Sequence, residues 1–123
     1  MTPGEKTVML VDDDESVRTS LARLFSSAQL PLSVFDSAED FLARAPLDAD
    51  GCLIIDVQLP GMRGLDLQTH CALHRPNLAV IIITAFDDEE TEQRALGGGA
   101  VAFLRKPFDA NALLQRVKSV IGR

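Results

Sequence analysis

Tryptophan and tyrosine are missing from this chain, whose six phenylalanines make up the 5% of aromatic residues. Native tryptophan quenching therefore cannot report metal binding to it. Cysteine is scarce as well: Cys52 and Cys71 are too few for a disulfide framework. Both stand in apolar patterns and read as small core hydrophobes in a reducing cytosol. No apolar run approaches the roughly 20 residues that span a bilayer. Met1 to Glu5 is polar and lacks the apolar stretch of a secretory signal. The net charge is -6 and the basic residues are scattered, so there is no patch that could neutralise nucleic-acid phosphates. Repeats, low-complexity tracts and linkers are absent too. What remains is 123 residues, 46% apolar and 24% charged, which is the mix of one globular domain over residues 1–123 with room for a real core.

Strand and helix patterns alternate along it. Thr7 to Val11 is an apolar, β-branched-rich strand. Glu15 to Ala28 places Val17, Leu21, Leu24 and Phe25 at helical spacing, with Asp13 or Asp14 able to cap its start. Leu32 to Phe35 is a short strand. Ser37-Ala38-Glu39-Asp40 resembles a capping box and opens a helix through Phe41 and Leu42. After a break over Pro46 to Gly51, Cys52 to Ile55 is a continuous apolar strand. Leu59 to Gly64 is a loop, and Leu65 to His74 a helix stopped by Pro76. Leu78 to Ile83 is the most apolar strand. Asp87 to Leu96 is a helix with an acidic first turn, ended by Gly97-Gly98-Gly99. Val101 to Leu104 is the last strand, and Asp109 caps a final helix with Leu113, Leu114, Val117, Val120 and Ile121 on one face. Five apolar strands separated by helices predict an α/β fold with a parallel sheet covered on both faces. Ligands of such sheets bind beyond the carboxyl ends of the strands.

The residues at those ends carry chemistry. The strand runs stop at Asp12-Asp13, at Asp56, at Thr84 and at Lys106-Pro107. Side by side at one edge, three acids, a hydroxyl and an ammonium would suit a Mg²⁺ ion and a phosphoryl group. Three crowded carboxylates repel one another, and a divalent cation relieves that repulsion.

In this order the residues resemble the receiver domain of bacterial two-component response regulators. The resemblance runs from Thr7 to Ile121. It is carried by Asp12-Asp13, by Asp56 with Leu59-Pro60-Gly61-Met62, by Thr84-Ala85, by Ala95 and Ala100, and by Phe103 with Lys106-Pro107-Phe108. The run Phe103 to Phe108 looks most like the FixJ-type branch, whose members often carry a helix-turn-helix output domain. The resemblance implies a flavodoxin-like (βα)5 sandwich with a five-stranded parallel sheet of order 2-1-3-4-5.

It also implies roles. Asp56 would be the phosphoacceptor, attacking a phosphohistidine of a sensor histidine kinase or phosphotransfer protein. Asp13 and Asp56 would ligate Mg²⁺ directly, Asp12 mainly through water, with the backbone carbonyl of Gln58 completing the protein set. Lys106 would pair with phosphoryl oxygens, and the Lys106-Pro107 peptide would be cis. Thr84 and Phe103 would be a switch pair, the hydroxyl moving to the phosphoryl group and the ring turning inward. Phenylalanine at 103 leaves no buried hydroxyl to satisfy. The face of helix 4, strand 5 and helix 5 would then dimerise, or release or engage an output domain or partner. Such a protein is a phosphorylation-controlled switch rather than an enzyme that turns over a metabolite, and its expected location is cytoplasmic.

Other features have plainer readings. Asp14 and Glu15 are capping residues. The acids from Asp87 to Glu92 favour a helix start and make one corner of the signalling face negative. His70 and His74 share a helix face at a spacing that can bind zinc, but no third ligand stands nearby in sequence. Bulky Phe86, two residues after Thr84, is expected to slow phosphate hydrolysis by excluding water. The resemblance implies that the positions of Phe86 and Gln58 both influence water access to the acyl phosphate. Arg63 stands where relatives often have an acid. Two rival functions are weaker. An aspartate-nucleophile phosphohydrolase would carry Asp-x-Asp and a cap domain, and a receiver that binds partners without phosphorylation would not need the full acidic set with Thr84 and Lys106.

Overall fold

Along the first strand, Val8 and Leu10 face one side and Met9 and Val11 the other, and all four are buried. A strand of this kind needs a layer on each face. The computed structural model, which describes residues 6–85 and 88–122, supplies both. The elements are β1 (Thr7–Val11), α1 (Glu15–Ser27), β2 (Leu32–Phe35), α2 (Ala38–Arg44), β3 (Gly51–Asp56), α3 (Gly64–His74), β4 (Leu78–Thr84), α4 (Glu89–Gly97), β5 (Ala102–Arg105) and α5 (Ala110–Ile121). Every strand pair is parallel, and the sheet order is β2-β1-β3-β4-β5. This is the fold class expected from the sequence.

One core lies beneath α2, α3 and α4, where Met9, Val11, Leu53, Ile55 and Ile82 meet Phe41, Leu67, Cys71 and Ala95. The other lies beneath α1 and α5, where Val8, Leu10, Cys52, Ile54, Ile81 and Ile83 meet Leu21, Phe25, Leu113, Val117 and Ile121. The strands thus alternate with period two although nothing polar interrupts them.

Four helices open on a side-chain cap. Asp14, Ser37, Asp88 and Asp109 accept from the amides of Ser16, Asp40, Glu90 and Asn111. Asp14, not Asp13, caps α1, which leaves Asp13 for other work. The expected capping box is only half made: Ser37 accepts from the Asp40 amide, but Asp40 reaches back to the Asp36 amide at 3.4 Å and grips Arg44. Helix α3 begins one residue early, at Gly64, and its preceding residue Arg63 makes no side-chain cap. Strand β5 lies one residue later than expected, because Arg105 pairs in register with Thr84 while Val101 is exposed.

Both thiols lie in the core. Burial pushes Cys52 up to about 12, and it pushes Cys71 up to about 11 against the lowering influence of Arg75. Thiolate is the reactive form. We therefore expect neither cysteine to react with an aromatic disulfide reagent at pH 8 until denaturant is added. Prompt labelling of the folded protein would show that one of the two cores opens readily.

Candidate functional site

Three of the strand ends converge on one lysine. Asp12 follows β1, is fully buried, and its Oδ2 accepts from Lys106 Nζ at 3.0 Å. Asp56 is the last residue of β3 and only 4% exposed, and its Oδ2 accepts from the same Nζ at 3.3 Å. The other oxygen of each acid is held by the chain around it. Asp12 Oδ1 accepts from the Asp14 amide at 2.9 Å, and Asp56 Oδ1 from the Gln58 amide at 3.1 Å. Each turn thereby aims the next backbone group past the strand end. Lys106 is in turn anchored through its own amide, which donates to the Thr84 carbonyl at 2.7 Å. The Lys106–Pro107 peptide is cis.

Electrostatics set the character of this edge. Burial, and then the charge of Asp12, push the Asp56 carboxyl up to about 6, against the pull of the Gln58 amide and Lys106. Burial alone would lower Lys106, but the hydrogen bond to Asp12 and the charges of Asp56 and Asp12 raise it above the usual lysine value. The site therefore holds one half-buried ammonium between two buried carboxylates, with an exposed third acid, Asp13, beside them. Carboxylate oxygens from Asp12, Asp13 and Asp56 lie within 4.8 Å of one another. Hard oxygens so grouped, with two negative charges more than Lys106 can offset, fit a divalent cation such as Mg²⁺. A groove of about 370 Å³, lined by Asp13, Val57, Gln58, Leu59, Pro60 and Arg63, opens next to them.

The remaining sequence candidates fall into two groups. Thr84, fully buried, ends β4, and Phe103 sits half-buried on β5. Ile82 is the register partner of Phe103, and both pack into the core under α2, α3 and α4, so Thr84, two residues after Ile82, shares that face. Arg105 covers the outer side of Phe103, its guanidinium carbon 5.4 Å from the ring centroid, and pairs with Glu92 at 2.8 Å. The acidic stretch is thus engaged within the molecule: Asp88 caps α4 and Glu92 holds Arg105. The rings of His70 and His74 lie 4.5 Å apart on α3, tilted by 41°. Among the described residues only Asp12, Asp13 and Asp56 form a group of three metal-ligand side chains, so the histidine pair gains no third ligand there. Phe86 lies outside the described residues, as does Asp87.

Sequence reading missed three supporting residues. Arg18 of α1 donates to the Asp12 carbonyl at 2.9 Å, fixing the turn that carries two of the acids. Gln68 of α3 is buried and donates to the Ala95 carbonyl at 2.7 Å, joining α3 to the end of α4. Glu39 of α2 accepts from the Met62 amide at 2.8 Å. A polar residue at a core position of an apolar helix was the available signal for Gln68, whereas Arg18 and Glu39 carry none in sequence.

Comparison with known proteins decides among the possible users of such an edge. Residues 8–118 match the family described as the response regulator receiver domain. The chain belongs to that family. It is 42% identical over 116 residues to Nodulation protein W of Bradyrhizobium diazoefficiens, covering 94% of this chain and 51% of that one. It is 39% identical over 122 residues to Transcriptional regulatory protein FixJ of Azorhizobium caulinodans, covering 98% of this chain and 57% of that one. Among solved structures, the one described as FixJ-N superposes with a TM-score of 0.85 at 32% identity, covering 100% of this chain and 97% of the other. The receiver is therefore of the FixJ type, a phosphoacceptor switch of two-component signalling, and it spans about half the length of the curated relatives it matches. Receivers hold Mg²⁺ at an acidic pocket, and Asp12, Asp13 and Asp56 form an acidic cluster at this strand edge.

Proposed function

We propose that this receiver takes a phosphoryl group onto the Asp56 carboxylate from the phosphohistidine of a sensor kinase or phosphotransfer protein. A carboxylate oxygen forms the new O–P bond while the P–N bond breaks and the imidazole keeps its electron pair. The observation that carries the reading is the shared contact of Lys106 Nζ with Asp12 and Asp56. An ammonium already seated against the acceptor carboxylate stands where phosphoryl oxygens would arrive, and it can exchange Asp56 Oδ2 for them.

Asp12, Asp13, Asp56 and the Gln58 carbonyl would hold Mg²⁺, which when bound offsets the charge of the carboxylates and of the phosphoryl oxygens. Asp12 does not leave the lysine, because its Oδ1 is tied to the Asp14 amide and its side chain is fully buried. Thr84 then offers its hydroxyl to the phosphoryl group, and Phe103 turns into the space beside it. The face of α4, β5 and α5 changes with them, controlling dimerisation or a DNA-binding output domain. The FixJ and Nodulation protein W likeness supports such an output. Residues 1–123 act as a single domain in this reading, in the cytoplasm, as a switch that turns over no metabolite. Among the described residues no helix is long and apolar enough to cross a membrane.

Incubation with acetyl phosphate and Mg²⁺, followed by intact-mass measurement, tests it. We expect one added phosphoryl group, and none when EDTA replaces Mg²⁺. No added mass, together with no thermal shift from beryllofluoride and Mg²⁺, would remove the phosphoacceptor role and leave the acids as ordinary strand-end carboxylates.

A further inference from the structure

The loop joining β3 to α3 runs past the acceptor carboxylate, and its amides are tied in an uneven way. Gln58 donates to Asp56, and Leu59 and Gly64 donate to Val57, so these bonds stay within the local chain. Met62 instead donates to Oε2 of Glu39, in the first turn of α2, at 2.8 Å. Glu39 is exposed, and its neighbour Asp40 is engaged separately with Arg44 and the Asp36 amide. The loop presses on that carboxylate. Gly61 has a φ of 72°, and a Cβ built there would lie 2.5 Å from Glu39 Oε2. A side chain there would push the flexible Glu39 carboxylate aside, at a backbone angle that favours glycine. Beyond the amide, the Met62 side chain is half-buried against the core under α2, α3 and α4.

We infer that Glu39 is a positioning residue for phosphoryl acceptance, its carboxylate anchoring the β3–α3 loop at Met62 and so holding Gln58 in place beside Asp56. The inference rests on the proposed function, since it is Gln58 that would offer its carbonyl to Mg²⁺. A hydrogen bond from a backbone amide to a carboxylate is stronger than one to a neutral acceptor. It ties the far end of the loop to α2, while the near end is held to β4 by the Val57 amide on the Ile83 carbonyl at 3.0 Å. Glu39 touches neither the acids nor Lys106 and acts through the loop alone.

Two variants in the intact chain separate this from a merely structural role. Glu39→Ala removes the acceptor, and Glu39→Gln keeps a neutral one. Three quantities are read: Mg²⁺ affinity by calorimetry without phosphodonor, exchange of the Met62 amide by NMR, and the rate of phosphorylation by acetyl phosphate across Mg²⁺ concentrations. Removing a partner bonded directly to a metal ligand commonly weakens binding 10- to 100-fold, and for Glu39→Ala, where the lost bond is to Met62 rather than to a ligand, we expect about threefold. Its Met62 amide exchanges faster, and its phosphorylation slows at low Mg²⁺ and recovers at saturating Mg²⁺. Glu39→Gln restores most of each. A third variant, Gly61→Ala, pushes the intact carboxylate off the loop and weakens Mg²⁺ binding in the same direction.

Parental Mg²⁺ affinity and Met62 exchange in Glu39→Ala would overturn the inference. Equal losses in Glu39→Gln and Glu39→Ala would overturn it too, by assigning the effect to charge rather than to the hydrogen bond. If the parent protein binds Mg²⁺ yet takes no phosphoryl group, the phosphoacceptor reading falls, while the calorimetry and exchange data still judge the loop anchor.

Discussion

We expect Asp56→Asn to take up no phosphoryl group from acetyl phosphate, and in EDTA at pH 7 to unfold at a higher temperature than the parent. The first expectation follows from the proposed role of the Asp56 oxygen as nucleophile. The second follows from how the carboxylate is housed. Burial and the neighbouring Asp12 push its pKa up to about 6 from 3.8, despite the pull of Gln58 and Lys106. The folded state thus binds this proton more tightly than the unfolded chain does. The stability contributed by the group is therefore greatest below about pH 4 and is lost as pH rises to about 6. Near neutral pH the ionised carboxylate costs the fold about 1–3 kcal/mol, since one unit corresponds to 1.36 kcal/mol. Asparagine removes that cost. It can still accept from the Gln58 amide, and Lys106 keeps its closer partner, Asp12 at 3.0 Å.

The gain should read as roughly 3–15 °C in Tm. It should shrink as pH falls from 6 to 4, because the parent carboxyl then protonates in place. Adding Mg²⁺ should narrow or reverse the difference, since a cation bound only by the folded parent stabilises it by mass action. Thermal melts of both proteins in EDTA across this pH range provide the check. An Asn variant no more stable than the parent at pH 7 would mean that the Lys106–Asp56 attraction outweighs burial and repulsion.

The contrast between that acid and its surroundings shows what was legible beforehand. The strand ends could be read because an apolar run that stops at a charge leaves a one-dimensional signal. Asp12, Asp56, Thr84 and Lys106 were all located by it, and once the strands lie parallel in order β2-β1-β3-β4-β5 the residues meet. The sheet order itself followed from the family resemblance, since periodicity cannot rank strands that are all equally apolar. Element ends slipped by a residue where pairing overruled pattern, as at Arg105, whose charge hid its place opposite Thr84 in the ladder. The choice between Asp13 and Asp14 as the cap of α1 depended on backbone angles that adjacent aspartates do not encode. Arg18 and Glu39 were invisible for a related reason. Each bonds to a backbone group, and a backbone donor or acceptor has no residue type to notice.

Gly64 is the clearest case of a position read as loop punctuation that the fold uses for contact. It begins α3, and its amide donates to the Val57 carbonyl at 3.2 Å. A Cβ added there would overlap the carbonyl oxygen of Asp56 and come within 2.8 Å of the Val57 Cα. Both obstacles are backbone, so no rotamer change relieves them. The first turn of α3 would have to lift from the end of β3, carrying Leu65, Leu67 and Gln68 out of their packing. Overpacking commonly costs 1–3 kcal/mol, and a clash with fixed backbone belongs at or above the upper end, so we expect Gly64→Ala to lose about 3 kcal/mol or more. Gly97, at the end of α4, is the control: nothing lies within 4 Å of its would-be Cβ. Alanine there should be neutral or stabilise by up to about 1 kcal/mol through helix propensity. Urea titrations of the two variants would therefore move in opposite directions. Because the clash is with Asp56 itself, Gly64→Ala should also accept phosphoryl groups more slowly under conditions where it remains folded. A Gly64→Ala midpoint matching that of the parent would show that α3 seats on β3 more loosely than this backbone contact requires.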